Sequence, residues 1–372
     1  MNYTKKEKEF IEKEFKNLCS PYKYVPAIIP AQKKIVVFGD IHGDYALTID
    51  LFLKAKLINF IDDKIVWCGG STYVVQVGDQ IDRCRPNVIL GLTCDNNNTT
   101  YNDEANDIKI LELFNYLHLE ALKVGGAVIS LLGNHELMNV FGILDYVSPA
   151  GINQFNNYKS VDNLVRFKNG KDARAYAFRD GNQYGKMLGC TRLPAVIIGS
   201  NLFVHAGIID KLIDEIKLTN VFDLEKINIK IRKWLIGIIA HNDVNYVQHI
   251  IKYSSNSMFW TRILGTIPAN TSMNDKRCYK NVKNALKIFK IGSMIVGHTP
   301  QSFKSNEDIN STCDGAVWRV DNGSSAAFHP FDEQYMQTGI PTHSRRAQYL
   351  EIINDNQYFV CDGFNCKKEI YN

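Results

Sequence analysis

An α/β layered domain is what this 372-residue sequence predicts, and three features carry the prediction. Short unbroken apolar runs such as Ile35–Phe38 and Ala127–Leu132 read as buried parallel strands, which lack the alternation of a half-exposed sheet. Stretches with apolar residues at helical spacing separate them. Strand, polar motif and helix then follow one another three times, the middle copy with an Asn-rich loop ahead of its helix.

Taken in order, residues 3–18 place Phe10, Ile11 and Phe15 at helical spacing among charged residues, and Pro21, Pro26 and Pro30 make an extended connector. Lys34–Phe38 is the first core strand, and Tyr45–Ile58 the helix that packs back on it. Lys64–Cys68 and Tyr73–Val77 flank Gly69–Thr72, which reads as a hairpin-like turn. Residues 91–107 form a polar surface loop, and Asp107–Lys123 is a helix stopped by Gly125-Gly126. Residues 150–192 have weak periodicity and read as loops or a cap. Strands follow at Ala195–Ile198, Leu202–Val204, Ser293–Val296 and Val317–Val320, with helices over 208–217, 223–240 and 276–290. Gln348–Ile353 and Gln357–Val360 close the chain as antiparallel strands. The expected organisation is an N-terminal helix and connector (1–30) and a single domain (31–372), with 150–192 and 209–290 as cap or insert elements.

Composition narrows the class. The chain is 45% apolar and 22% charged, ordinary for a globular protein with a sizeable core. A net charge of +4, with no basic stripe carrying aromatics, speaks against a dedicated nucleic-acid binder. The charged N-terminus lacks the apolar run of a signal peptide, and no apolar run is long enough to span a bilayer. Nine cysteines without paired spacing suit a reducing compartment, with the thiols as small buried apolar groups. The expected location is therefore the cytoplasm.

Five strand ends carry metal-ligand side chains: Asp40/His42, Asp79, Asn134/His135, His205 and His298. The carboxyl ends of sheet strands are where α/β proteins place their sites. Imidazoles, carboxylates and an amide oxygen suit two borderline divalent ions better than a thiolate site or an all-oxygen calcium cage. A lone Asp or His at a strand end is usually structural, but five such motifs directly after apolar strands are not independent accidents. Two ions roughly 3.5–4 Å apart can share a carboxylate, the arrangement of phosphatases and nucleases. Asp79 is the natural bridge.

The motifs GDIHGD (39–44), GDQIDR (78–83), GNHE (133–136), VHAG (204–207) and VGHT (296–299) resemble, in that order, those of the calcineurin-like metallophosphoesterase superfamily in its phosphoprotein phosphatase branch. NHELMNVFGILDYVSP (134–149), Trp67–Gly70, FWTR (259–262) and WRVDNGSS (318–325) are similar to the Shewanella-like protein phosphatases. The resemblance implies a β-sandwich of two mixed sheets flanked by helices, with a dimetal site at the strand ends. It also implies that Asp40, His42 and Asp79 hold one ion, and Asp79, Asn134, His205 and His298 the other. His135 would protonate the leaving oxygen and Asp82 would orient its ring, the tautomer-fixing logic of a triad. Arg83 and Asn134 would bind phosphate oxygens, Arg83 with the two-pronged donor set that lysine lacks.

The expected activity is hydrolysis of phosphomonoesters on phosphoproteins by a metal-bridging hydroxide, without a phospho-enzyme. Small phosphate esters or dinucleoside polyphosphates are the alternative substrates, and a non-catalytic binding protein is the rival from another class. Mn²⁺ is the expected metal, with Fe or Zn²⁺ the alternatives. No nucleic-acid or membrane partner is expected.

Two points depart from the pattern. Cys84 and Arg85 stand where the family places Gly, which either re-lines the substrate groove or tightens a turn. For a second phosphate-gripping arginine, Arg262 competes with Arg174 and Arg179 and with an ion-paired structural role for itself. Cys313–Arg319 fits the Cys-x5-Arg spacing of cysteine-dependent phosphatases, but its bulky, strand-like second half cannot cradle a phosphate. Trp260 and Trp318 read as core packing.

Overall fold

Two mixed sheets stack face to face between helices. The computed structural model describes residues 3–86, 91–100, 102–161, 163–303, 306–329, 331 and 346–369. Positions 101 and 162, which fall within two segments read from the sequence, lie outside the described residues.

The first sheet has seven strands, in the order Cys366–Lys368, Gln357–Cys361, Tyr349–Ile353, Lys34–Phe38, Tyr73–Gln76, Ala127–Leu131 and Arg192–Leu193. Its last four run parallel, and Tyr349–Ile353 is antiparallel to Lys34–Phe38. The second sheet has six, in the order Ile28–Ile29, Ala195–Ile198, Asn201–Val204, Ser293–Val296, Val317–Arg319 and Asn310–Thr312.

Side-chain alternation assigns the layers. Ile35, Val37, Val75, Ile129 and Leu131 of the first sheet meet Val196, Ile198, Phe203, Ile295 and Trp318 of the second. The intervening Val36, Phe38, Val74 and Val128 face helices Tyr45–Lys54 and Asp107–Leu122. On the far side, Leu202, Val204, Met294 and Val296 pack on the helices between residues 149 and 289. Both faces of the central strands are thus covered, which is why those strands are continuous apolar runs, while the edge strand Cys366–Lys368 is exposed. Full burial of a side chain such as Phe203 contributes roughly 1.5–3 kcal/mol.

Several expectations need correction. Lys64–Trp67 does not turn into Tyr73–Gln76; it pairs back on Ile58–Ile61. The turn is Asp62-Asp63, both at positive φ, the two-residue hairpin geometry usually signalled by Asn-Gly. Residues 150–192 are not loop-rich: helices run over Pro149–Asn153, Gly170–Phe178 and Gln183–Thr191. The Pro-containing connector contributes the edge strand Ile28–Ile29, and a separate helix, His241–Ile251, follows Phe222–Ile236.

The largest correction concerns cysteine. Eight of the nine pair, as Cys19–Cys190, Cys84–Cys94, Cys278–Cys313 and Cys361–Cys366, leaving Cys68 free and exposed. The paired cysteines replace the unpaired, small apolar thiols that the spacing suggested. The spacing misled because two bridges join residues 171 and 35 positions apart. The Cys278–Cys313 bridge also removes Cys313 as a nucleophile. No helix among the described residues is long and apolar enough to cross a membrane.

Candidate active site

The strand ends are held together by backbone as much as by side chains. Past Phe38, the amides of Ile41 and His42 both donate to the carbonyl of Asp79, at 3.0 and 2.9 Å. The Glu136 carboxylate accepts the amides of Asp79, Gln80 and Gly133 at 2.7–2.9 Å, binding the second strand end to the third. The amide of His298 donates to Asp40 Oδ2 at 3.0 Å, closing the ring from the last motif to the first. Close approach dictates glycine at 133, where a Cβ would lie 2.1 Å from Asp79 Oδ1, and at 297, where it would lie 2.3 Å from Asp40 Oδ1. His42, Asp79, Asp82 and His298 all adopt positive φ, a strained state for these residues that clusters at functional sites.

The six ligand candidates are all buried and converge. Asp79 Oδ2 lies 3.3 Å from His205 Nε2, 3.9 Å from His135 Nε2 and 4.0 Å from His42 Nε2. Asn134 Oδ1 is 2.8 Å from His205 Nε2, and Asp40 Oδ2 is 3.9 Å from His42 Nε2. Ligand atoms of Asp79, His205 and His298 lie within 4.8 Å of one another, as do those of His42, Asp79 and His135. Asp79 is common to both groups.

The donor set fits a pair of cations. His42 Nδ1, His205 Nδ1 and His298 Nε2 each face a backbone carbonyl, those of Ile81, Val77 and Trp260. This is how metal-binding imidazoles are oriented, with the other ring nitrogen aimed at the ion. Electrostatics agree. Burial, with Asp321 and Asp79 nearby, pushes the Asp40 carboxyl well above the usual carboxylate range. Burial would raise Asp79 too, but the imidazoles of His205, His135 and His42 outweigh it and hold it well below that range. Burial holds His42 and His298 well down, in the neutral form a metal requires, whereas at His205 burial is outweighed by the Asp79 carboxylate, which raises it.

Beside this cluster, His135 Nδ1 meets Asp82 Oδ2 at 2.8 Å, leaving Nε2 toward Asp79. Arg83 is buried, with Nη1 3.4 Å from Asp44 Oδ2, and its Nε has no protein partner among the described residues. Arg262 is exposed and donates to the His298 carbonyl at 3.0 Å, at the rim of the cluster. Arg179 is exposed and Arg174 lies behind His135. Arg85 tightens the turn: Nη1 donates to the carbonyls of Asp82 and Cys84, and the guanidinium packs 4.9 Å from the Phe328 ring. Trp318 is fully buried against Tyr358, while Trp260 is only partly buried beneath exposed Tyr253.

Sequence reading missed Glu136, Asp107, Asn139 and Asp321. Glu136 carried a signal: it is the third helical position after Gly133, where a carboxylate reaches back to backbone amides. Asp321, buried near Asp40 with Oδ2 unpartnered among the described residues, lies within a quoted motif but was assigned no role.

These features define a metallophosphoesterase, and the chain belongs to that family: the calcineurin-like phosphoesterase family matches residues 33–302. Its relatives include uncharacterized protein R398 of Acanthamoeba polyphaga mimivirus, 38% identical over 66% of this chain and 96% of that one. Shewanella-like protein phosphatase 2 of Arabidopsis thaliana is 27% identical over 79% and 72%. Among solved structures, a cold-active protein tyrosine phosphatase superposes with a TM-score of 0.63 at 21% identity, covering 92% of this chain and 80% of that one. That likeness supports the fold.

Proposed function

We propose that this chain is a dimetal protein phosphatase. The observation that carries the reading is the gathering of side chains from four other strand ends around Asp79. Asp40, His42 and Asp79 would hold one divalent ion; Asp79, Asn134, His205 and His298 the other, with Mn²⁺ foremost. Bound there, the pair would supply Lewis acidity and lower the pKa of a water nucleophile.

The protein's own groups do the rest. Arg83, with a buried unpartnered Nε, grips phosphate oxygens together with the Asn134 amide, and Arg262 closes from the rim. His135 Nε2 gives its proton to the leaving oxygen while Asp82 fixes the other ring nitrogen. Protein rather than small-molecule substrate is supported by the relatives named Shewanella-like protein phosphatases, from Arabidopsis thaliana and Plasmodium berghei.

The test is a panel of phosphoserine, phosphothreonine and phosphotyrosine peptides, nucleotides and dinucleoside polyphosphates, assayed with Mn²⁺. The expected result is highest kcat/KM on a phosphopeptide. Preference for a dinucleoside polyphosphate overturns the protein-phosphatase reading, and inactivity on every ester overturns the enzyme reading.

A further inference from the structure

Behind the His135–Asp82 pair lies a fully buried polar network. Asp82 Oδ1 accepts from Asn139 Nδ2 at 2.8 Å, and that amide nitrogen also donates to the His135 carbonyl at 3.0 Å. Asn139 Oδ1 accepts Arg174 Nε at 2.8 Å. Arg174 Nη2 donates to Asp107 Oδ2 at 2.7 Å and lies 3.6 Å from Asp82 Oδ1. Asp107 Oδ1 in turn accepts the Asp82 amide at 3.2 Å, so Asp107 holds the backbone of the residue whose side chain Arg174 faces. The Arg174 guanidinium sits 5.5 and 5.0 Å from the Phe155 and Phe178 rings, which lock its plane.

A solvent-inaccessible arginine behind the His135–Asp82 pair is costly unless each contact has a use. We propose that Arg174 and Asp107 are positioning residues for the proton donor: they fix Asp82, and through it the direction in which His135 Nε2 presents its proton. Charge supports this. With Arg174 neutralising Asp107, the Asp82 carboxylate is left to face His135. Without the guanidinium, two buried carboxylates would stand together, and repulsion would displace Asp82 from the ring. Positive φ at Asp82 adds to the case, because a strained backbone holds its place only when its surroundings over-determine it, as the Asp107–amide bond does here. This rests on the phosphatase reading above.

The two esters of the test differ in how much they need a proton. p-Nitrophenolate departs from p-nitrophenyl phosphate unassisted, whereas the alkoxide of a phosphoserine peptide must be protonated. Arg174→Met, Arg174→Lys and Asp107→Asn are compared with wild type and with His135→Asn on both substrates, with bound metal quantified. Loss of positioning predicts that Arg174→Met lowers kcat on the phosphopeptide by about 10²-fold, and on the aryl ester by less than about tenfold, with KM and metal content unchanged. Arg174→Lys keeps the charge but not the fork, and should recover part of the phosphopeptide rate. It carries the test if the methionine variant fails to fold. Equal loss on both esters, or none, in the folded variants overturns the positioning role alone. Wild-type inactivity on both esters overturns the phosphatase reading and this proposal with it.

Discussion

Asp79 Oδ1 accepts the backbone N–H of His135 at 2.9 Å, while Asp79 Oδ2 faces the imidazoles of His42, His135 and His205. One carboxylate therefore ties the proposed bridging position to the backbone of the proposed proton donor. Gly133 makes room for this, since a Cβ there would lie 2.1 Å from Oδ1 and 2.3 Å from the Asp79 amide. A backbone atom cannot rotate away as a side chain can, so Gly133→Ala must push the two strand ends apart. Displacement of about 1 Å costs on the order of 10²-fold in rate. The expected outcome is at least that loss in kcat, with reduced metal content by elemental analysis; a fully active, fully metallated variant contradicts the geometry.

The two roles separate by substitution. His135→Asn leaves every proposed ligand in place and should lower kcat by about 10²–10⁴ with both metals retained. Asp79→Ala removes the group common to both clusters and should prevent loading of both ions. Elemental analysis and kcat together decide between them. Normal turnover in the first variant, or full occupancy in the second, would refute the assignment concerned.

How much of this was legible in advance depended on the range of the interaction. The proposed strand-end ligands could be read because each follows an apolar run within a few residues: Asp40 after Phe38, His205 after Val204, His298 after Val296. Glu136 could be read as far as its bond to the Gly133 amide, but its bonds to the Asp79 and Gln80 amides, like the contacts of Arg174, cross distances in sequence that no spacing encodes. Arg174 reaches Asp107 over 67 residues, and from sequence it stood only as one candidate for a second phosphate-gripping arginine in a weakly patterned segment. The disulfides show the same limit. Cys19 and Cys190 meet only because the N-terminal helix packs Phe10 and Phe15 beside Ile229 and Ile236.

His118, on helix Asp107–Leu122, offers a stability test away from the site. Burial lowers its imidazole to about 4 from the ordinary 6.5. Between those values the unfolded chain binds a proton that the folded chain refuses, so stability falls as pH drops through the window and levels off below it. His118→Gln should remove that component, flattening the slope by up to about 1.4 kcal/mol per pH unit. Denaturant unfolding of both proteins across pH 4–7 measures it; parallel curves would count against a buried neutral imidazole.

The four disulfides should contribute unequally, and loop length says in which order. Cys19–Cys190 closes 171 residues and pins the N-terminal helix to the body, so it restricts the unfolded chain most. Cys84–Cys94 closes only 10. On the chain-entropy account, removing the long bridge as Cys19→Ser/Cys190→Ser should cost about 5 kcal/mol, and Cys84→Ser/Cys94→Ser about 2–3 kcal/mol. Thermal unfolding under oxidising conditions should therefore rank wild type above the Cys84/Cys94 variant, and that above the Cys19/Cys190 variant. Adding a reductant opens every remaining bridge, so it should lower the midpoints of wild type and both variants and narrow the differences among them. The reverse ranking would mean that local strain, rather than loop closure, sets the contribution of each bridge.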